Sequence, residues 1–301
     1  MKHPIGLLLG TEEDWSTSFE RMAERAGTFS WRGSEHELDV SRVTNEPFDG
    51  GQWRGVSRAR NADELNRRYD ESGEQLMHLQ QAIDGFDVFA RSLSIGPETM
   101  VMWFDPEKPI HDRYQVRHDF LAPEQGFEVV TISQTVNAFF RWEFNSCESL
   151  VRGGHVHPID YANATPDVAL TSLHYYFPWA ITALVRWSAF CLANERQMRL
   201  DVEARPWFEI GDRADLTYEE KLRAYRTLAD EYFDAAAYAE FCASALPHLD
   251  EAADEWFTGG EFDRLLVDTV CATFPAHEHE QFVAHYRGLI AAWSADKTTR
   301  A

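Results

Sequence analysis

The sequence is poor in positive charge. It carries 28 basic and 50 acidic residues, so its formal net charge at pH 7 is -22. Lysine is especially scarce, with only Lys2, Lys108, Lys221 and Lys297. A strongly acidic surface repels the phosphates of nucleic acids and of anionic membranes. We therefore expect neither a nucleic acid nor a membrane as a general partner.

Closely spaced cysteines and long hydrophobic runs are also missing. Without a CxxC pair, neither a disulfide framework nor a zinc site is indicated, and we expect buried free thiols at Cys147, Cys191, Cys242 and Cys271. The apolar run from Ile5 to Gly10 is too short to cross a membrane, and the acidic residues directly after it are untypical of a signal peptide. These absences favour a cytoplasmic protein.

Hydrophobic periodicity predicts an α+β protein. In the first 50 residues we expect strands at 5–9 and 36–43, with a helix over 12–27, capped by Thr11, between them. The middle of the chain predicts an antiparallel sheet with helices around it: a helix at 62–73, strands at 76–83, 86–96 and 99–105, a helix over 134–144 capped by Ser133, and a hairpin of 147–151 and 155–163. After Pro178 the pattern is helical, and from residue 201 it predicts a C-terminal helical appendix.

The hairpin around Gly153 and Gly154 carries the most informative polar residues. Glu148 lies on its first strand, and Asp160 and Asn163 lie on its second. Two carboxylates and an amide offer the oxygen ligands that Mg²⁺ prefers, and Mg²⁺ commonly bridges to the phosphates of a substrate. From the spacing alone, a magnesium site and an ordinary polar hairpin are both open.

Two further features indicate an anion site. Gly50 and Gly51, in the stretch NEPFDGGQW, would let backbone N–H groups approach a phosphate closely. Arg91, in an otherwise apolar strand, would supply a fixed positive charge. Each feature also has a plain interpretation, because paired glycines often form turns and strand arginines often form salt bridges.

In their order along the chain, these stretches resemble the ATP-grasp superfamily, in particular a bacterial branch with a glycine loop of the form PFDGGxW. The resemblance extends from Pro47 to Phe190. PFDGGQW is similar to the flexible loop that covers the phosphates, and LMHLQQAI is similar to the hinge strand that meets the adenine. FDVFARSLSIG is similar to the strand whose arginine reaches the phosphates, and CESLVRGGHVHPIDYANATPD is similar to the metal-binding hairpin.

The resemblance implies two α+β subdomains that clasp ATP, and it assigns roles residue by residue. Arg91 would act catalytically on the transferring phosphoryl group. Asp87 would meet the ribose, although a plain turn role is equally open. The residues that would contact ATP lie in the glycine loop or beside the hinge: Gly50, Gly51, Gln52, Gln81, Ile83 and Asp87. The residues that would hold Mg²⁺ lie on the hairpin: Glu148, Asp160 and Asn163.

The activity implied by the resemblance is that of an ATP-dependent carboxylate–amine ligase acting on a small-molecule substrate. A carboxylate is activated as an acyl phosphate, and an amine then displaces the phosphate. ATP and Mg²⁺ are the implied cofactors.

Two features depart from the family pattern. Immediately before PFDGG the family has a lysine on a strand, whereas this chain has Glu46 and no lysine nearby. Residues 1–46 stand where the family has a longer N-terminal region. The predicted organisation is a truncated N-terminal α/β remnant at 1–46, an ATP-grasp-like domain at 47–200 and a helical region at 201–301. A catalytically impaired derivative that serves as a binding or scaffold module is the alternative.

Overall fold

A computed structural model describes residues 28–31, 34–37, 43–47, 57–71, 77–164, 166–197, 199 and 203–300. Its internal contacts divide the chain into two compact units, Met1–Phe86 and Asp87–Ala301. The predicted strand at 5–9, the helix over 12–27 and the loop residues Gly50, Gly51 and Gln52 lie outside the described residues. The domain boundaries after residues 46 and 200 stay predictions.

The first unit contains a hairpin and a three-stranded antiparallel sheet. The hairpin joins β1 (Thr28–Trp31) to β2 (Ser34–Glu37), and the sheet has β3 (Val43–Pro47) between β4 (Ser57–Ala59) and β5 (Met77–Gln81). α1 (Ala62–Glu71) follows β4, as predicted. Of the strand predicted at 36–43, residues 36–37 end β2 and residue 43 begins β3, while residues 38–42 lie outside the described residues.

The second unit is built on a five-stranded antiparallel sheet with the order β10–β9–β6–β7–β8. Its strands are β6 (Val88–Ile95), β7 (Glu98–Phe104), β8 (Tyr114–Gln115), β9 (Phe144–Arg152) and β10 (His155–Asn163). The predicted α+β class, the strands at 86–96 and 99–105, and the hairpin are therefore confirmed.

Helix α2 (Pro123–Phe140) packs on one face of this sheet. Val129 of the helix lies in a buried cluster with Val88, Ala90 and Val151 from the strands. A buried hydroxyl pair joins the same surfaces, since the Oγ atoms of Ser92 and Ser133 lie 2.6 Å apart. The opposite face of the sheet is thus the one that carries Arg91 and Glu148.

The prediction that Ser133 caps a helix over 134–144 is wrong. The helix begins at Pro123, where proline suits the first turn and the Gln125 side chain accepts a hydrogen bond from the Ala122 N–H at 3.0 Å. Ser133 lies in the helix interior, where its hydroxyl donates to the Val129 carbonyl at 2.9 Å. A serine whose hydroxyl donates to a carbonyl of the preceding turn lies within the helix and does not cap it.

The C-terminal region is helical, as predicted. Two aromatic-rich clusters stabilise it, one around Trp187 and Phe233 and the other around Phe262 and Tyr286. The helices are α3 (Leu170–Leu173), α4 (Phe177–Ala193), α5 (Arg205–Asp212), α6 (Tyr218–Phe233), α7 (Ala235–Ala245), α8 (Leu249–Phe257), α9 (Gly260–Thr273) and α10 (His279–Arg300), with a short 3₁₀ helix at His174–Tyr176.

The cysteines are free, but their burial differs from the expectation. Cys147 is buried, Cys191 and Cys242 are half-buried, and Cys271 on α9 is exposed. The expectation of buried thiols is therefore wrong for Cys271, which sits on the solvent side of an amphipathic helix. Within the described ranges, no helix has the length and apolar character needed to span a membrane.

A histidine lies inside the second unit. His174 is 2% exposed. Burial is the main reason that its pKa is lowered from 6.5 to about 4. The other titratable side chains that act on the pKa of His174 are His285, Asp112 and His111. The unit is thus folded around an imidazole that stays neutral to a lower pH than it does in the unfolded chain.

We expect the free energy of unfolding to fall as the pH drops from 6.5 to about 4. Above this window His174 is neutral in both the folded and the unfolded chain. Inside it His174 is protonated in the unfolded chain and neutral in the folded chain, which lowers the free energy of unfolding by up to about 1.4 kcal/mol per pH unit. Urea unfolding at a series of pH values gives the free energy of unfolding as a function of pH. Its slope against pH between about 4 and 6.5 should be smaller for His174→Gln than for the parent. His248→Gln, whose parent side chain is 82% exposed, is the control and should keep the parent slope. Equal slopes for His174→Gln and the parent would contradict this assignment.

Candidate functional site

A row of charged residues crosses three neighbouring strands of the five-stranded sheet. Arg91 of β6 is the cross-strand partner of Glu148 of β9, and Glu148 is the partner of Asp160 of β10. Directly paired residues share a face of a sheet, so all three side chains emerge on one side. Arg91 Nη1 lies 3.6 Å from Glu148 Oε1. The structure thus brings together the predicted catalytic arginine and two of the predicted metal ligands.

Irregular pairing in β10 brings the third predicted ligand to the same face. Residues three apart in a regular strand point to opposite faces, so regular alternation would separate Asp160 from Asn163. The register shifts between these two residues, and Asn163 pairs with Ser146 where Asp160 pairs with Glu148. Since Ser146 and Glu148 are two apart in β9, their partners share a face.

Buried polar groups hold this irregular strand in place. Within the irregular stretch, the Tyr161 carbonyl accepts a hydrogen bond from Asn145 Nδ2 at 3.1 Å. Asn163 Nδ2 donates to Ser146 Oγ at 3.0 Å. This contact engages the nitrogen of the Asn163 amide, so its oxygen is the atom that could serve as a cation ligand. Asn145 and Ser146 were not identified from the sequence. The only signal in the sequence is their position, three and two residues before Glu148.

Aromatic rings position the Arg91 guanidinium. Its central carbon lies 5.3 Å from the ring centroid of Phe104 and 5.8 Å from that of Tyr114. Burial raises the pKa of Tyr114 to about 12, with Arg91 opposing the rise and Glu148 and Asp167 adding to it. Tyr114 therefore stays protonated as a neutral ring beside the charged row, and sequence reasoning gave no signal for it.

Burial differs along the row and suggests where a cation would approach. Glu148 is 7% exposed, and its charge is balanced by Arg91. Asp160 is exposed and Asn163 is half-buried, so the β10 side of the row is open to solvent. A cation that enters from this side meets Asp160 and Asn163 before it reaches Glu148.

The chemistry of this oxygen set fits Mg²⁺. Two carboxylates and an amide oxygen are hard ligands, and they leave coordination positions for water and phosphate oxygens. Within the part of the chain that the structure describes, no group of three or more histidine, cysteine, aspartate or glutamate side chains is arranged to hold a metal. The set Glu148, Asp160 and Asn163 is of a different kind, because one of its members is an amide.

The residues predicted to contact the base and the ribose lie at the ends of strands. Gln81 ends β5 and is exposed, and Ile83 follows it half-buried. Asp87 precedes β6, and its carboxylate accepts a hydrogen bond from the Gly153 N–H at 3.3 Å. This contact ties β6 to the hairpin turn, which corresponds to the plain turn role of Asp87.

Glu46 lies inside strand β3. Its cross-strand partner is His78 of β5. On the other side, Asn45 of β3 pairs with Ser57 of β4, so the segment 48–56 with the glycine pair connects two antiparallel strands. Glu46 is therefore the penultimate residue of β3, one residue before this connection.

Comparison with known proteins gives no match for this chain, either to a family model or to a curated protein.

Proposed function

We propose that the protein is an ATP-grasp-type protein that binds ATP with Mg²⁺ and acts as a carboxylate–amine ligase through an acyl phosphate. The observation that carries the proposal is the row Arg91–Glu148–Asp160, with Asn163 turned to the same face. It joins a fixed cation to a set of oxygen ligands on one side of an antiparallel sheet. This is the combination that phosphoryl transfer needs, because its catalysis rests on positioning and on charge neutralisation.

The glycine-rich segment supports the phosphate-binding part of the proposal. A connection between paired strands such as β3 and β4 is anchored at both ends, and its glycines allow the backbone to approach an anion closely. The backbone N–H groups at Gly50, Gly51 and Gln52 would bind phosphate oxygens. The backbone near Gln81, the last residue of β5, and Ile83 would meet the adenine.

Each charged residue of the row has a distinct task in this proposal. Glu148, Asp160 and Asn163 would hold Mg²⁺, which supplies charge neutralisation on the phosphate oxygens when it is bound. Arg91 would stabilise the negative charge that develops on the transferring phosphoryl group. The contacts of Arg91 with Phe104 and Tyr114 keep the guanidinium in place and reduce the cost of orienting it.

Glu46 favours a second candidate, a catalytically impaired derivative that serves as a binding or scaffold module. A carboxylate in β3 directly before the glycine segment opposes a polyphosphate where a lysine would attract it. Arg91 also already has an anionic partner in Glu148. The two candidates share the fold and the magnesium site, and they differ in turnover.

The magnesium assignment predicts that Asp160→Asn weakens Mg²⁺-dependent ATP binding at least about tenfold while the thermal midpoint stays near that of the parent. The charge of an exposed ligand is removed, whereas its shape is kept. Glu148→Gln should weaken binding similarly, with some loss of stability because Arg91 loses its buried partner. Isothermal titration calorimetry of ATP with Mg²⁺ measures both effects.

The matched control is Asp268→Asn, which removes one exposed carboxylate from α9. It changes the net charge by the same amount and should bind ATP like the parent. If Asp160→Asn and Glu148→Gln both retain the parent affinity, the hairpin does not hold the metal.

A further inference from the structure

A pocket lies in the Asp87–Ala301 unit, and none of the described residues that line it belongs to the proposed ATP and magnesium site. Its volume is about 510 Å³, in the range of small-molecule sites. β8 pairs with Trp103 and Phe104 at the end of β7. The earlier residues Met100 and Val101 of β7 line one side of the pocket. The chain after β8, the start of α4 and the end of α10 form its other walls.

Aromatic rings dominate these walls. Five of the lining side chains are aromatic: Phe120, Tyr175, Tyr176, Trp179 and Trp293. Several are fixed by edge-to-face contacts, with ring centroids 4.9 Å apart for Tyr175 and Tyr176 and 5.6 Å apart for Trp103 and Phe120. An aromatic ring attracts a cation that reaches its face, and the attraction grows when the cation is desolvated.

The charged groups of the pocket have a negative balance. Asp296 accepts hydrogen bonds from the Tyr175 hydroxyl at 2.7 Å and lies 3.2 Å from His118 Nε2. Asp119 is exposed at the rim. The opposing charge is Arg117, whose guanidinium lies 4.1 Å from the Trp103 ring centroid. The lining thus carries two carboxylates, the imidazole of His118, which is charged only when protonated, and one guanidinium that is already stacked on an aromatic ring.

We propose that this pocket binds a small organic cation, a substituted ammonium with an apolar body. The aromatic walls would contact the apolar body and the charged head together, and Asp296 and Asp119 would supply the counter-charge. The chain's formal charge of -22 adds a long-range attraction for cations over anions. Among the described residues, Arg91 and the hairpin contribute none of the walls, so the proposed cation site is separate from the proposed magnesium site.

The test compares three probes of similar size on the full chain by calorimetry: benzyltrimethylammonium, benzyl alcohol and benzenesulfonate. We expect the cation to bind at least about fivefold more tightly than the neutral probe, and the anion to bind most weakly. Asp296→Asn should reduce the preference for the cation over the neutral probe at least about threefold. Asp119→Asn should reduce it in the same direction, and asparagine tolerates the left-handed backbone of this residue at φ 55°.

Asp268→Asn again serves as the matched control and should leave the order of the three probes unchanged. Thermal midpoints show whether each variant is folded. If Asp296→Asn does not fold, Asp119→Asn still tests the proposal. Equal binding of the three probes by the parent would overturn the proposal. A cation preference that survives both Asp296→Asn and Asp119→Asn would overturn it as well, because the counter-charge would then lie elsewhere.

Discussion

Replacement of Gly96 by alanine is expected to destabilise the second unit by about 3 kcal/mol or more. Gly96 joins β6 to β7 with φ at 55°, a left-handed conformation that costs alanine about 1 kcal/mol. An added Cβ would also collide with the indole ring of Trp187. That indole is 5% exposed and packs against Phe190 and Phe233, so any movement away from the added methyl group would disturb this packing.

The control for this variant is Gly153→Ala. Gly153 has the same φ of 55°, but an added Cβ there would meet no atom within 4 Å. It therefore measures the backbone cost alone, and the difference between the two variants measures the collision with Trp187. Denaturant unfolding should give Gly96→Ala a much lower free energy of unfolding than Gly153→Ala. Equal losses would show that the indole yields without cost.

The largest functional effect is expected from Glu46→Lys, which should tighten ATP binding by more than about tenfold. The substitution changes the charge by two units beside the proposed phosphate site, and one pair of unit charges about 4 Å apart is worth about 4 kcal/mol at an effective dielectric constant of about 20. Even a third of that value is about a factor of ten in affinity. Calorimetry at two salt concentrations checks the electrostatic origin, because the gain of an exposed charge shrinks as salt rises.

Two companion variants make the Glu46→Lys result specific. Glu46→Gln removes one charge unit and should give an intermediate affinity. Asn45→Lys adds a positive charge at the neighbouring position of β3 and should have a smaller effect, because successive positions of a strand alternate between the two faces of a sheet. If the parent binds ATP well and Glu46→Lys leaves the affinity unchanged, Glu46 does not face the phosphates.

The elements that were predictable from the sequence are those whose pattern is local. The hairpin of β9 and β10 follows from alternating residues around a glycine pair, and helix α1 follows from its own periodicity. The start of α2 was misplaced because a serine before a helical stretch resembles a cap. The structure shows that Pro123 and Gln125 begin the helix, while Ser133 bonds to Val129 and Ser92 inside it.

The candidate site was predictable only in part, for a similar reason. The ligand types and Arg91 were identified from their order along the chain, but alternation alone would place Asp160 and Asn163 on opposite faces of β10. The register shift that unites them depends on Asn145, which donates to the Tyr161 carbonyl from the neighbouring strand. Contacts of this kind join residues on different strands, so the local sequence pattern does not predict them.

The central claim is Mg²⁺-dependent ATP binding, and the most direct test is a calorimetric titration of ATP into the parent chain. One titration contains excess Mg²⁺, and the other contains EDTA. We predict saturable binding at one site with Mg²⁺ and an affinity at least about tenfold lower with EDTA. A folded protein that shows no binding heat with Mg²⁺, or the same affinity in both titrations, would contradict the account.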